Sequence, residues 1–484
     1  MANRSVRPNH IRNLRRLNSA AIPLLSLPDP VRRPDRASSA GADTVINLDD
    51  TESLFRPVST RKLIRSLITL HMAGFGPMVD IGSKVMGSRL MENDFFRRAV
   101  LGFTEHSFYN YFCGGADLSA ARRTAERLWE SGLSAMLDYG LEHANDNESC
   151  DCGMEELVET INSSKGLQSC EVSFVVVKIT AICTPKLLKR VSDLLRWEYK
   201  DNSLHLPWKL KSLPIFSSSS SFYHTPTEPQ PLTPPEEHDL LLAYQRLNKI
   251  CERAVESNVP LLIDAEDTSI QPAIDYLSYS AAVAYSRGEN EDPIIFNTIQ
   301  AYLKDAKDRM VIAKGAADEM GVPLGFKLVR GAYMSSEKRL ADELGVESPI
   351  HDCIQDTHAC FDECADFLLG EIANGSSSVV IATHNVQSGK MAASKAVNLG
   401  IPKNSPYLQF AQLYGMSEGL SFGLKNAGFK VSKYMPFGPV EHIMPYLLRR
   451  AEENRGLLST ASLDRHLMRK EITRRLLSRS KDYS

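Results

Sequence analysis

Residues 259–297 read VPLLIDAEDTSIQPAIDYLSYSAAVAYSRGENEDPIIFN. The apolar run Val259–Asp264 is too short for a helix and stops at a carboxylate. Residues 270–286 then repeat apolar side chains at helical spacing, and Pro293–Asn297 is again a short β-type run. A strand, a helix and a second strand in that order make a right-handed βαβ unit with parallel strands.

The same alternation continues on both sides. A strand is predicted over 171–182, rich in valine and isoleucine, and a helix over 237–256. Helix 298–320 leads to strand 324–329, helix 352–373 to 378–383, helix 387–399 to 407–410, and helix 416–425 to 429–434. A last long helix begins near His442. About seven βα units are more than a compact open sheet usually needs. The pattern predicts an α/β fold, a (βα)8 TIM-type barrel spanning 171–456.

Outside that span the texture changes. The first 28 residues hold five arginines and neither Asp nor Glu, and the segment to Arg36 carries a net charge of +6. Residues 1–50 therefore read as a transit peptide and disordered arm. Residues 55–165 read as an α-helical region: Leu63, Ile64, Leu67, Leu70 and Met72 recur at helical spacing beside Arg61, Lys62 and Arg65. Such a basic amphipathic helix suits core packing or a membrane surface. Residues 213–236 are dense in Ser and Pro and read as a disordered insertion, and 457–484 as a helical tail.

Composition excludes several classes. With 56 Lys and Arg against 59 Asp and Glu, the chain lacks the basic excess of a nucleic-acid binder. No apolar run approaches the ~18 residues of a spanning helix. Nine cysteines without a secretory signal point to reduced thiols, and Cys150-Asp-Cys152 has no second ligand pair, so no metal site is expected. Gly74-Phe-Gly76 is not a dinucleotide fingerprint, and no phosphate-binding GxxxxGK[ST] loop occurs.

In parallel barrels chemistry sits at the C-terminal ends of the strands. There this sequence places Lys178, Asp264, Gln300, Lys327 with Arg330, Thr383-His384-Asn385 and Tyr434. Each alone has an ordinary explanation, such as a snorkelling lysine or a helix cap. Together, at the same end of successive strands, they outline a site. The last helix adds Arg449 and Arg450, planar forks suited to a carboxylate, with Glu453 on the same face. These residues leave open a Schiff-base lyase built on Lys178, or a barrel that binds a carboxylate metabolite without turnover.

The segments VVVKITAI (175–182), LLIDAED (261–267), FNTIQAYLKD (296–305), FKLVRGAYM (326–334), IATHN (381–385), AQLYGM (411–416) and KYMPFG through YLLRRAEEN (433–454) resemble proline dehydrogenase, particularly its plant mitochondrial members. The resemblance implies a distorted (βα)8 barrel that holds FAD non-covalently and oxidises L-proline to Δ1-pyrroline-5-carboxylate. It further implies a quinone as electron acceptor and a place in the mitochondrial matrix, peripheral to the inner membrane. By position, Arg449, Arg450 and Lys178 would hold the substrate carboxylate, Asp264 would organise these charges, and Glu453 would fix the arginine pair. Tyr434 and Leu413 would pack on the ring, with Tyr446 and Tyr333 closing the pocket. Lys327 would stand near flavin N5, where bacterial members carry arginine, and is placed with Asp264 in the catalytic set. Ala265, Gln300, Arg330, Gly331, Ala332, Thr383, His384 and Asn385 would line the cofactor.

Overall fold

The computed structural model describes residues 45–484 except 74–81, 83, 86–87, 166–171, 287, 289–290, 376, 457 and 482–484. Eight parallel strands close into a barrel in sequence order, β1 to β8. They are β1 Ser134–Tyr139, β2 Val172–Val177, β3 Leu261–Ile263, β4 Ile295–Gln300, β5 Gly325–Val329, β6 Ser378–Ala382, β7 Leu408–Leu413 and β8 Val431–Phe437. The (βα)8 reading holds, and seven of the strands lie where the sequence placed them.

The eighth does not. β1 lies inside 55–165, the stretch read as helical, and it closes the barrel by pairing with β2 on one side and β8 on the other. Its sequence, SAMLDY, contains no β-branched residue, while Ala, Met and Leu are good helix formers, so local propensity points the wrong way. Ala135, Met136, Leu137 and Asp138 are all buried on both faces, and that environment decides the conformation.

Inward residues of six strands fill the barrel: Met136, Phe174, Val176, Leu262, Phe296, Val380 and Ala411. Phe174 and Phe296 meet edge to face at 4.8 Å. β5 opens on Gly325 for a steric reason, because a Cβ there would fall 2.4 Å from the Phe296 ring. The outward residues Val175, Val177, Leu261 and Ile263 join the larger core under the surrounding helices.

Two end segments are held firmly. In helix Leu458–Lys481, within the expected 457–484 tail, Arg475 donates to the carbonyls of Phe55 and Val58, both at 2.8 Å, where the short helix Thr51–Phe55 ends. Glu471 of that helix is buried and accepts from Thr51, Arg474 and Arg475.

Residues 213–236 differ from the expectation of disorder. They have little regular structure before helix Pro234–Ser257, yet Leu213, Phe216 and Leu232 are buried. Phe216, Phe222 and Tyr199 form a ring cluster with centroids 5.2–5.4 Å apart. Arg190 and Lys200 of helix Pro185–Lys200 donate to carbonyls of Gln230 and Thr225, each at 2.8 Å. Scattered apolar anchors without periodicity, satisfied by arginine and lysine from a neighbouring helix, leave no mark that a periodic reading detects. Phe216→Ala should therefore destabilise the protein by about 3 kcal/mol, as a buried aromatic does; a denaturation curve unchanged from wild type would mean the segment is not anchored.

Candidate active site

The strand ends bring five buried or half-buried polar groups to one point at the barrel mouth. Asp138 comes from β1, Lys178 from the residue after β2, Asp264 from the residue after β3, Lys327 from β5 and Tyr434 from β8. Lys178 Nζ contacts Asp138 Oδ1 closely, donates to Tyr434 Oη at 3.0 Å and lies 3.4 Å from Asp264 Oδ2. Tyr434 donates to Asp264 Oδ2 at 2.6 Å, and Lys327 Nζ is paired with Asp264 Oδ1. Two lysines and two aspartates cancel in charge, which is how ions survive so far from water.

The local energetics follow from that exchange. Burial alone would push the Lys178 ammonium down, but Asp138, Asp264 and Glu142 together hold it above its ordinary value. Burial would raise Asp264, yet Lys327 and then Lys178 keep it below the usual carboxylate range. Asp138 goes the other way: burial wins over Lys178, and its carboxyl is raised. Burial also takes the Tyr434 phenol well above its ordinary value, so it donates as a neutral hydroxyl.

Above this cluster, helix Val440–Gly456 presents the two arginines. Arg449 is clasped bidentately by Glu142, at 2.6 and 3.0 Å, and its guanidinium lies 5.6 Å from the Tyr333 ring centroid. Arg450 is buried, with its guanidinium 5.0 Å from the Tyr446 ring centroid. Glu453 was expected to fix this pair; its side chain lies outside the described residues, and Glu142 is the carboxylate that holds Arg449. Beside Glu142, His143 sits in the left-handed region with φ 57° and pairs at 3.5 Å with the buried Glu266.

A third group lines the mouth from β4 to β6. Arg330 donates to Thr383 Oγ1 and Ser388 Oγ, both at 2.8 Å, and to His358 Nδ1 at 3.0 Å, while its plane lies 4.2 Å from the Phe361 ring centroid. Asn385 caps helix Val386–Asn398, accepting from the amides of Gln387 and Ser388. Gln300 donates at 2.8 Å to the carbonyl of Glu266, one residue beyond Ala265. Gly331 takes φ +130°, and a Cβ there would meet the Tyr302 ring at 2.4 Å, so the chain bends out of β5 through a glycine before Ala332.

His384 Nε2 accepts the amide proton of Leu413 at 3.0 Å, which leaves the ring proton on Nδ1. Loss of water, reinforced by Arg450, Lys433 and Arg330, pushes this imidazole down to about 3.

The sequence reading missed Asp138, Glu142, Glu266, His358 and Ser388. Asp138 lies within the unrecognised strand β1 and Glu142 three residues beyond its end; had β1 been seen, its mouth end would have marked them. Among the described residues the cysteines are free thiols, no group of side chains could hold a metal ion, and no helix is long and apolar enough to cross a membrane.

The family model described as proline dehydrogenase matches residues 121–462. The chain belongs to the proline dehydrogenase family. It is 51% identical to two Arabidopsis thaliana relatives, proline dehydrogenase 2, mitochondrial, over 99% of this chain and all of that one, and proline dehydrogenase 1, mitochondrial, over 99% of each. Among solved structures, proline utilization A from Bdellovibrio bacteriovorus inactivated by N-propargylglycine shares the fold, with TM-score 0.57 and 20% identity. That likeness covers 84% of this chain but only 38% of the bacterial one.

A depressed His384 means that the unfolded chain, with an ordinary value of about 6.5, takes up a proton the folded protein refuses. The stability from this residue is thus present above about pH 6.5 and lost as pH falls below it. Nitrogen NMR of labelled histidine should show one ring with Nε2 bare and Nδ1 protonated from pH about 5 to about 8; an imidazolium signal for His384 at pH about 5 would contradict the assignment.

Proposed function

We propose that the barrel mouth binds L-proline and oxidises it to Δ1-pyrroline-5-carboxylate with FAD, passing the electrons to a quinone. Oxidation of proline, the first step of proline catabolism, is the reaction of this family. The observation that carries the reading is the set of two carboxylate-binding arginines, Arg449 and Arg450, placed with a neutral, internally hydrogen-bonded Lys–Asp–Tyr cluster.

The residues divide the work. Arg449 and Arg450 take the substrate carboxylate, and Arg449 does so by exchanging Glu142 for it, one carboxylate for another with little change in local charge. Lys178 gives two of its three N–H groups to Asp138 and Tyr434 and pairs with Asp264 as an ion at 3.4 Å, so its third N–H can turn to the carboxylate. Tyr434, held by Lys178 and Asp264, offers a fixed ring face to the pyrrolidine together with Leu413, and Tyr333 and Tyr446 shield the pocket. Positioning of this kind lowers a barrier by pre-empting orientational entropy. The substrate amine must shed its proton before C5 can give up a hydride, so turnover should rise with pH.

The residues present fit a flavin. Gly331, whose Cβ side is taken by the Tyr302 ring, and Ala332 carry the chain out of β5 beside Arg330. Arg330, Thr383, His384, Asn385 and Gln300 offer a neutral-to-cationic set of donors there, with Ala265 on the β3 side. Lys327, fixed by Asp264, would stand nearest the reacting edge. When bound, the flavin supplies the two-electron acceptor that no side chain here provides.

We place the chain in the mitochondrion, as the arginine-rich first 28 residues and the relatives' names support. A peripheral contact with the inner membrane is supported by helix Thr60–Ala73, where Ile64 and Ile68 stay exposed beside Arg61, Lys62 and Arg65.

The purified protein should show flavin absorption that bleaches on anaerobic addition of L-proline, while Arg449→Met keeps the flavin and raises KM for proline about tenfold or more. A colourless protein that FAD cannot reconstitute would overturn the reading, and loss of flavin in Arg449→Met would move that arginine to the cofactor. The double change Ile64→Asp with Ile68→Asp should reduce co-sedimentation with vesicles containing anionic phospholipid; equal binding by wild type and variant would place the contact elsewhere.

A further inference from the structure

Asp138 lies at the mouth end of β1, is 2% exposed, and makes the closest contact to Lys178. Removal of that partner would leave the buried ammonium only Tyr434 at 3.0 Å and Asp264 at 3.4 Å, and Asp264 is already engaged by Lys327. Tyr434 is oriented from both sides, since it accepts from Lys178 and donates to Asp264. Its ring is therefore aimed by Lys178 as well as by Asp264.

We propose that Asp138 is a positioning residue for proline oxidation: it holds Lys178 charged and in place, and through Lys178 it sets Tyr434 and Asp264 for the substrate. The proposal rests on the proline-oxidising reading of the same mouth. The groups facing Lys178 are Asp138 and Glu142 from β1 and the segment after it, Asp264 from beyond β3 and Tyr434 from β8. Lys327 reaches it through Asp264, and Arg449 through Glu142. Asp138 is the largest of the influences that offset burial at Lys178, and without it burial would draw the ammonium towards neutrality.

The test uses flavin-loaded enzyme and kcat/KM for proline from pH about 6 to about 10. Asp138→Asn is expected to keep its flavin, with a lowered thermal midpoint, and to lose about tenfold or more in kcat/KM at a temperature where it stays folded. It should also gain a falling alkaline limb, as Lys178 deprotonates within the range, which a merely structural ion pair would not produce. Asp138→Glu keeps the charge and should recover a profile of wild-type shape. In a Lys178→Met background, Asp138→Asn should change kcat/KM by less than about threefold, because its effect passes through the lysine. An unchanged profile in Asp138→Asn, or an equal loss with and without Lys178, overturns the proposal. If Asp138→Asn does not fold, Asp138→Glu decides: its displaced carboxylate should lower kcat/KM about fivefold with flavin retained, and no loss would refute the role. A wild type that does not turn over proline defeats the functional reading instead.

Discussion

The ammonium of Lys178, shut away from water between Asp138 and Asp264, is the contact on which the rest of the mouth depends. A lone buried ion costs several kcal/mol, so the lysine requires its carboxylates and they require it. That mutual need draws together β1, β2 and β3, and Tyr434 and Lys327 extend it to β8 and β5. A barrel missing one of these strands would strand a charge.

The arginine pair adds a second constraint of the same kind with a different consequence. Glu142 and Arg449 are 307 residues apart in sequence and meet bidentately with both side chains largely covered. In the proposed reaction this pair is the one that gives way, since a substrate carboxylate would replace Glu142 in kind. The Lys178 cluster is instead tied to itself by Asp138, Tyr434 and Asp264, which makes it the fixed floor of the mouth.

Much of this was legible. β2 to β8 announce themselves as short apolar runs broken by polar residues, Lys178 and Asp264 just past β2 and β3, and Lys327 and Tyr434 within β5 and β8. β1 did not, since SAMLDY has helix-forming residues and is a strand only because both its faces are covered. Asp138 and Glu142 were hidden with it. Residues 213–236 misled for a related reason: their anchors, Phe216 and Leu232 among them, follow no period.

The sequence by itself determined the parallel barrel and its site-bearing end, because strand and helix periods are local properties of the chain, and motif order identified the family. Which charge meets which was left to the tertiary structure. Lys178 could have served the substrate carboxylate directly, and only closure of the barrel brings Asp138 against it. Likewise Arg449 had Glu453 as its local partner on the helix, and the fold supplied Glu142. Pairing energies of buried ions depend on distance and desolvation, and both are set by elements far apart in the chain.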